Sequence, residues 1–186
     1  MKSVSISGTI RECVGKKDAK LQRKENLVPC VVYGGKEQNH ILVPEKQFKS
    51  IIYTPEVYYA ELSFGGKIIN AIIQETQFHP LTEKLLHIDF LEVSDNKPIS
   101  IKIPLNIVGV SPGVLRGGRL IKKFRKVKIK GLLKNIPEKI NVDISNLEID
   151  QSIKISDVIT DNFEIMENKA NIVVAVASTR NVAAEE

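Results

Sequence analysis

The sequence predicts a mainly β chain in two domains, with a few short helices. Three observations carry that prediction. β-Branched residues and glycine-containing turns dominate the chain. A Gly65-Gly66 pair sits inside one long strand-like stretch, VYYAELSFGGKIINAIIQE. The polar stretch Ser94-Asp95-Asn96-Lys97-Pro98 ends in a helix-breaking proline, and strand-like alternation resumes at once in ISIKIPLNIVG. It divides the chain into expected domains 1–94 and 95–178, with 179–186 as a loose tail.

Taken in order, residues 16–26 are polar and glycine-flanked, with a helical turn expected at 19–24. Residues 28–33 form a strand that stops at Gly34-Gly35, and 41–43 continue the sheet. Pro44 and Glu45 open a short helix, EKQFKSII, with Phe48, Ile51 and Ile52 on one side. In the 57–75 hairpin, Gly65-Gly66 supplies two positive φ angles and sets Phe64 opposite Lys67. One face then holds Phe64, Leu62, Ala60 and Tyr58 with Ile69, Ala71 and Ile73, and is the expected core. The other holds Ser63, Glu61, Tyr59 and Val57 with Ile68, Asn70, Ile72 and Gln74, so Gln74 is expected to look outward. Beyond the boundary, strands are expected at 126–130, 139–144, 152–155 and 172–177. The last is continuously apolar, as a buried strand would be.

Composition narrows the function. Among 186 residues, 42% are hydrophobic and the net charge is +5, enough for a core and a lean toward an anionic partner. Cys13 and Cys30 lie far apart without a CxxC spacing, which predicts neither a disulfide framework nor a zinc site and fits a reducing cytosol. The first residues carry no apolar signal region, and no run is long enough to cross a membrane, so a cytoplasmic protein is expected. Charge is also uneven. Residues 116–134 hold nine Lys or Arg and no acid: Arg116, Arg119, Lys122, Lys123, Arg125, Lys126, Lys128, Lys130 and Lys134. That excess favours contact with phosphate over an ordinary solvated strand face.

The run FHPLTEKLLHIDF brings His79, His87 and Asp89 close together in a chain with three histidines. The spacing matches no trusted metal-ligand pattern, and no cofactor motif is present. No G-x-S-x-G elbow, paired-carboxylate signature or nucleophile context accompanies it, which argues against catalysis. The GGK runs at 34–36 and 65–67 do not satisfy a phosphate loop and read as turns. On a strand, His87 and Asp89 share a face. A carboxylate facing RNA is costly unless it accepts a base amino or imino hydrogen, so Asp89 would read sequence while Lys and Arg supply affinity. Tyr33 and Gln74 add a ring that stacks and a bidentate amide. The bland alternative, that His87 and Asp89 only bond each other or the backbone, stays open on residue chemistry alone.

A resemblance bears on that choice. R-E-x-x-G-K-x6-R, VPCVVYGGKE, IIQETQFHP and LLHIDFLEV, in this order, resemble the bacterial large-subunit ribosomal protein twenty-five family, which binds 5S ribosomal RNA. IPLNIVGVSPGVLRGGRL, NIPEKINVDISNLEID and SIKISDV resemble its longer, general stress protein Ctc form. The resemblance implies an N-terminal β-barrel domain on a 5S internal loop, a C-terminal β-rich domain, no enzyme activity, and a monomer within the ribosome. It implies RNA contacts at Arg11, Lys16, Lys20, Arg23, Tyr33, Gln74, His87 and Asp89, and a structural turn at His79-Pro80. Two departures stand out: Lys20 replaces a family arginine and loses its planar fork, and Asp150 replaces a glycine. The basic run is a candidate second contact, to 5S RNA, 23S RNA or a neighbouring large-subunit protein.

Overall fold

A computed structural model describes residues 1–94, 96–159 and 162–179 of the chain. They form two compact units, Met1–Lys97 and Pro98–Glu186.

The first unit contains β1 (Lys2–Ser7), β2 (Thr9–Ile10), helix α1 (Lys16–Lys24), β3 (Leu27–Tyr33) and β4 (Asn39–Pro44). A 3-10 turn at Glu45–Phe48 runs into α2 (Lys49–Ile52), followed by β5 (Tyr58–Phe64), β6 (Lys67–Phe78) and β7 (Leu85–Glu92). The sheet order is β1-β5-β6-β7-β3-β4-β2. Only Gly8 separates β1 from β2, yet β1 pairs with β5 on one edge and β2 with β4 on the other. One continuous segment therefore laces both edges and closes the sheet into a barrel, which removes exposed strand edges. Gly8 allows the crossing: a Cβ there would fall 3.0 Å from both the Leu42 carbonyl and Val43 Cγ2.

The hairpin turn behaves as the diglycine predicts. Phe64 faces Lys67, Leu62 faces Ile69 and Ala60 faces Ala71. Phe64, Leu62, Ala60 and Ala71 fill the barrel with Ile6, Val28, Cys30, Val32, Ile88 and Phe90, and Phe48 and Ile51 of the short helices close it. Two positions of the outward face depart from expectation, and one is Val57, which is buried. Ile72, assigned to the outward face, is fully buried. It pairs with Leu91, and Leu91 is folded over Gly34, so this part of the outer face has an apolar floor of its own. Helix α1 begins at Lys16, three residues before the expected turn. The strand at the N-terminus was not expected at all.

The second unit contains β8 (Ile99–Val108), α3 (Pro112–Leu115), β9 (Arg119–Lys122), β10 (Lys126–Gly131), β11 (Ile140–Asp143), β12 (Ser152–Lys154), β13 (Glu164–Ile165) and β14 (Ile172–Ala177). Its sheets run β11-β8-β10-β13 and β12-β14-β9. Ile103, Leu105, Val127, Ile129, Val173, Val174 and Val176 are buried in its core. Asp150 has φ 61, the left-handed conformation that glycine adopts freely and Asp tolerates better than most residues. Its Oδ1 accepts the Ser178 amide at 3.3 Å. Of the expected tail, Thr179 donates its hydroxyl to the Gly117 carbonyl, and residues 180–186 lie outside the described residues.

Candidate nucleic-acid interface

The His87–Asp89 strand owes its presentation to two irregularities. Along the β6–β7 ladder Ile73 faces Phe90 and Glu75 faces Asp89, so Gln74 is an extra residue bulged out of β6. Further on, Gln77 faces His87 and Phe78 faces Leu85, so Leu86 is the extra residue on β7. Bulges bend a strand and raise its twist. Gln74 is exposed, as alternation along the hairpin predicts, and the bulge brings Glu75 to the outer face as well, opposite Asp89.

Each bulge also frees backbone groups. The carbonyl of Leu86 has lost its place in the ladder, and Arg23 Nε donates to it at 3.0 Å. Arg23 is thereby fixed to β7. Arg11 is fixed as well: its Nε and Nη2 donate to Asp18 Oδ2 at 2.8 and 2.7 Å, with its side chain 9% exposed. That bond holds the Asp18 carboxyl below its usual range. These two arginines explain how α1 survives. It has nine residues, none buried, and exposed lysines at 16, 17, 20 and 24. Lys16, Lys20 and Lys24 recur at i, i+4 and i+8, where like charges weaken a helix, and so short a helix is marginal alone. The Arg11–Asp18 and Arg23–Leu86 bonds clamp it beside β3. Among the described residues, none of the four lysines is held in an ion pair.

The outer face of β4, β3, β7 and β6 presents its side chains in rows across the strands. In one row Tyr33 neighbours Leu91, which neighbours Ile72. In the next, His40 neighbours Val31, which neighbours Asp89, which faces Glu75. Beyond it His87 faces Gln77. His87 Nδ1 lies 2.7 Å from Asp89 Oδ1, with side chains 23% and 30% exposed. Partial burial and the Asp89 and Glu75 carboxylates raise the Tyr33 hydroxyl's pKa, so it stays a phenol and a donor. The face therefore offers a ring, two carboxylates, two imidazoles and two amides on rigid strands.

His79 belongs elsewhere. Its Nδ1 accepts the amides of Leu81 and Thr82 at 3.3 and 3.2 Å, and its own amide donates to Lys84 O, which makes it the organiser of the β6–β7 turn. Among the described residues no group of three or more His, Cys, Asp and Glu is placed to hold a metal ion.

Residues 6–90 match the Ribosomal L25p family, and residues 98–180 match the C-terminal domain of ribosomal protein TL5. Large ribosomal subunit protein bL25 of Cytophaga hutchinsonii is 41% identical over 186 residues, covering 100% of this chain and 97% of that protein. The protein of the same name from Phocaeicola vulgatus is 40% identical over 187 residues, covering 97% and 94%. That from Porphyromonas gingivalis is 39% identical over 182 residues, covering 97% and 95%. The chain belongs to the ribosomal L25p family. It is a ribosomal protein with a structural, non-enzymatic role, in the long form that carries the second domain.

Within this L25p chain the structure brings Lys16, Lys20, Arg23, Tyr33, Gln74, His87 and Asp89 onto the first unit's α1–β3–β7–β6 side. Arg11 has its guanidinium committed to Asp18. Sequence reasoning missed Glu75, Gln77 and His40. Period-two spacing from Asp89 finds His87 on the same strand, but the partners across the ladder depend on a register that the bulges reset. The basic run of the second unit is split. Arg116 lies 3.7 Å from Glu148, and Lys122 Nζ donates to Leu105 O at 2.7 Å. Lys126, Lys128 and Lys130 stand together on β10.

Proposed function

We propose that the chain is a structural constituent of the large ribosomal subunit that binds 5S rRNA through its first unit. Affinity comes from phosphate contacts by Lys16 and Lys20, with Lys17 and Lys24 beside them on α1. Arg11 and Arg23 hold that helix in place, and the N–H groups of Arg23 not spent on Leu86 remain for RNA. Base edges are read by Tyr33, Gln74, His87 and Asp89. The second unit adds a further ribosomal contact through the basic run.

The observation that carries this reading is the pairing of unlike surfaces on adjacent elements. A lysine helix beside a strand face with two carboxylates makes little sense for phosphate alone, since the acids repel it. Carboxylates there fit hydrogen bonds from base amino and imino groups. Phosphate contacts are sequence-blind and salt-dependent, whereas base contacts are not. Lys16→Ala should therefore flatten the salt dependence of binding to any RNA, by roughly 0.7–0.9 in the log–log slope per lost contact. Filter binding of the full chain to 5S rRNA and to unrelated RNA tests the reading. Equal affinity for both would reject it.

A further inference from the structure

On β8 and β10 the sheet places two lysines against each other. Lys102 lies directly opposite Lys128 across the antiparallel pair. Like charges at directly opposed positions destabilise a sheet, so the pairing opposes folding. Lys126 and Lys130 flank Lys128 at two-residue steps, roughly 7 Å along the strand, and share its face. The buried side chains Ile103, Val127 and Ile129 fill the opposite face. Lys126 and Lys130 oppose Pro104 and Ser100, neither of which offers a countercharge. The acid across the ladder is Glu164, at the margin opposite Lys130. Among the described residues none of the four lysines is in an ion pair.

We infer that this exposed face of β8 and β10, centred on Lys102–Lys128, docks on the phosphate backbone of double-helical RNA. The inference rests on the reading of the chain as an rRNA-binding protein, and it is independent of the 5S assignment. Four cations in a compact patch complement closely spaced phosphates, and a bound polyanion turns the Lys102–Lys128 repulsion into shared attraction. Single-stranded RNA is the weaker fit, because sequence-tolerant binding of single strands uses aromatic platforms for base stacking, and Ser100, Lys102, Pro104, Lys126, Lys128 and Lys130 supply none. Paired RNA is recognised by shape and backbone, for which lysines on a rigid sheet suffice. Lys102 lies outside the acid-free run, so the run alone does not reveal this patch.

The test uses the full chain, with K102Q/K128Q and K102R/K128R beside the unaltered protein. The probes are a perfectly paired RNA duplex of arbitrary sequence, polyuridylate and 5S rRNA. K102Q/K128Q should lower duplex affinity by roughly tenfold or more at ~0.1 M salt and reduce the salt slope by about 1.5–2. K102R/K128R should bind as the unaltered chain does. Removing the repulsion leaves the thermal midpoint equal or higher, so misfolding is read out separately. Unchanged duplex affinity and slope in K102Q/K128Q overturn the inference. So does an equal loss on polyuridylate, which would assign a single strand. Unchanged duplex binding with loss of the variant from large subunits would also overturn it, in favour of an acidic protein partner. K16Q/K20Q separates the two readings: if it leaves 5S binding intact, the first-unit interface fails while the duplex result still decides this one.

Discussion

Replacing Asp89 by asparagine separates a base-reading carboxylate from an incidental acid beside phosphates. The substitution keeps side-chain shape, keeps one oxygen acceptor and removes the charge. In the structure one Asp89 oxygen is paired with His87 at 2.7 Å, and the side chain is 30% exposed, which leaves the second oxygen for a ligand. If that oxygen accepts a base N–H, its loss is worth about 1–3 kcal/mol of discrimination. That corresponds to roughly 5- to 150-fold in the 5S dissociation constant. The effect on generic RNA has the opposite sign. One anion fewer on an RNA-facing surface leaves nonspecific affinity equal or slightly higher, and the salt slope stays fixed because no cation is lost. The assay is filter binding of both RNAs across a salt series. Should Asp89→Asn bind 5S rRNA as well as or better than the unaltered chain, Asp89 reads no base and the reasoning is refuted.

Three further outcomes are expected. Gly34 has φ 97, and a Cβ there would fall 2.6 Å from Leu91 Cδ1; Gly34→Ala should cost roughly 1–3 kcal/mol, lowering the first unit's melting midpoint by about 4–8 °C per kcal/mol in calorimetry. The Asp18 carboxyl is held below its ordinary 3.8 chiefly by the Arg11 bond, so the clamp on α1 is fully present above that pH and is lost as pH falls through the lower folded value. Hydrogen exchange over residues 16–24 should show flat protection down to about pH 4 and a decline below it, and Asp18→Asn should abolish that pH dependence. Burial, with help from the Asp89 charge, pushes the Cys30 thiol far up, while Cys13 is exposed; a disulfide reagent should therefore titrate one thiol in the native chain and both after unfolding.

The parts of the fold that could be read from sequence are those set by local chemistry. Gly65-Gly66 fixed a register, and with it the interior positions of Phe64, Leu62, Ala60 and Ala71. The apolar run at 172–177 gave a strand with Val173, Val174 and Val176 buried. What escaped depends on distant partners. β1 reads as a weak alternation of Ser, Val and Ile, and only the pairing of β1 with β5 and of the following β2 with β4 makes this segment the one that closes the barrel. Ile72 sits on the face that alternation calls outward, but Leu91 covers it, and nothing near Ile72 in sequence announces Leu91. The candidate site was half legible. His87 and Asp89 share a face by simple spacing, whereas Glu75 and Gln77 reach them through bulges at Gln74 and Leu86. The Arg11–Asp18 bond, a strut for α1, joins residues seven apart that no local pattern pairs.

The proposed 5S rRNA contact lies on the α1–β3–β7–β6 side of the first unit. Amide exchange of the full chain, with and without 5S rRNA and with unrelated RNA as the comparison, tests it most directly. Added protection specific to 5S rRNA is expected at residues 16–24, 73–77 and 86–91, with β1 and β5 unchanged. Protection confined to β1, β5 or the second unit, with 86–91 unaltered, would contradict it.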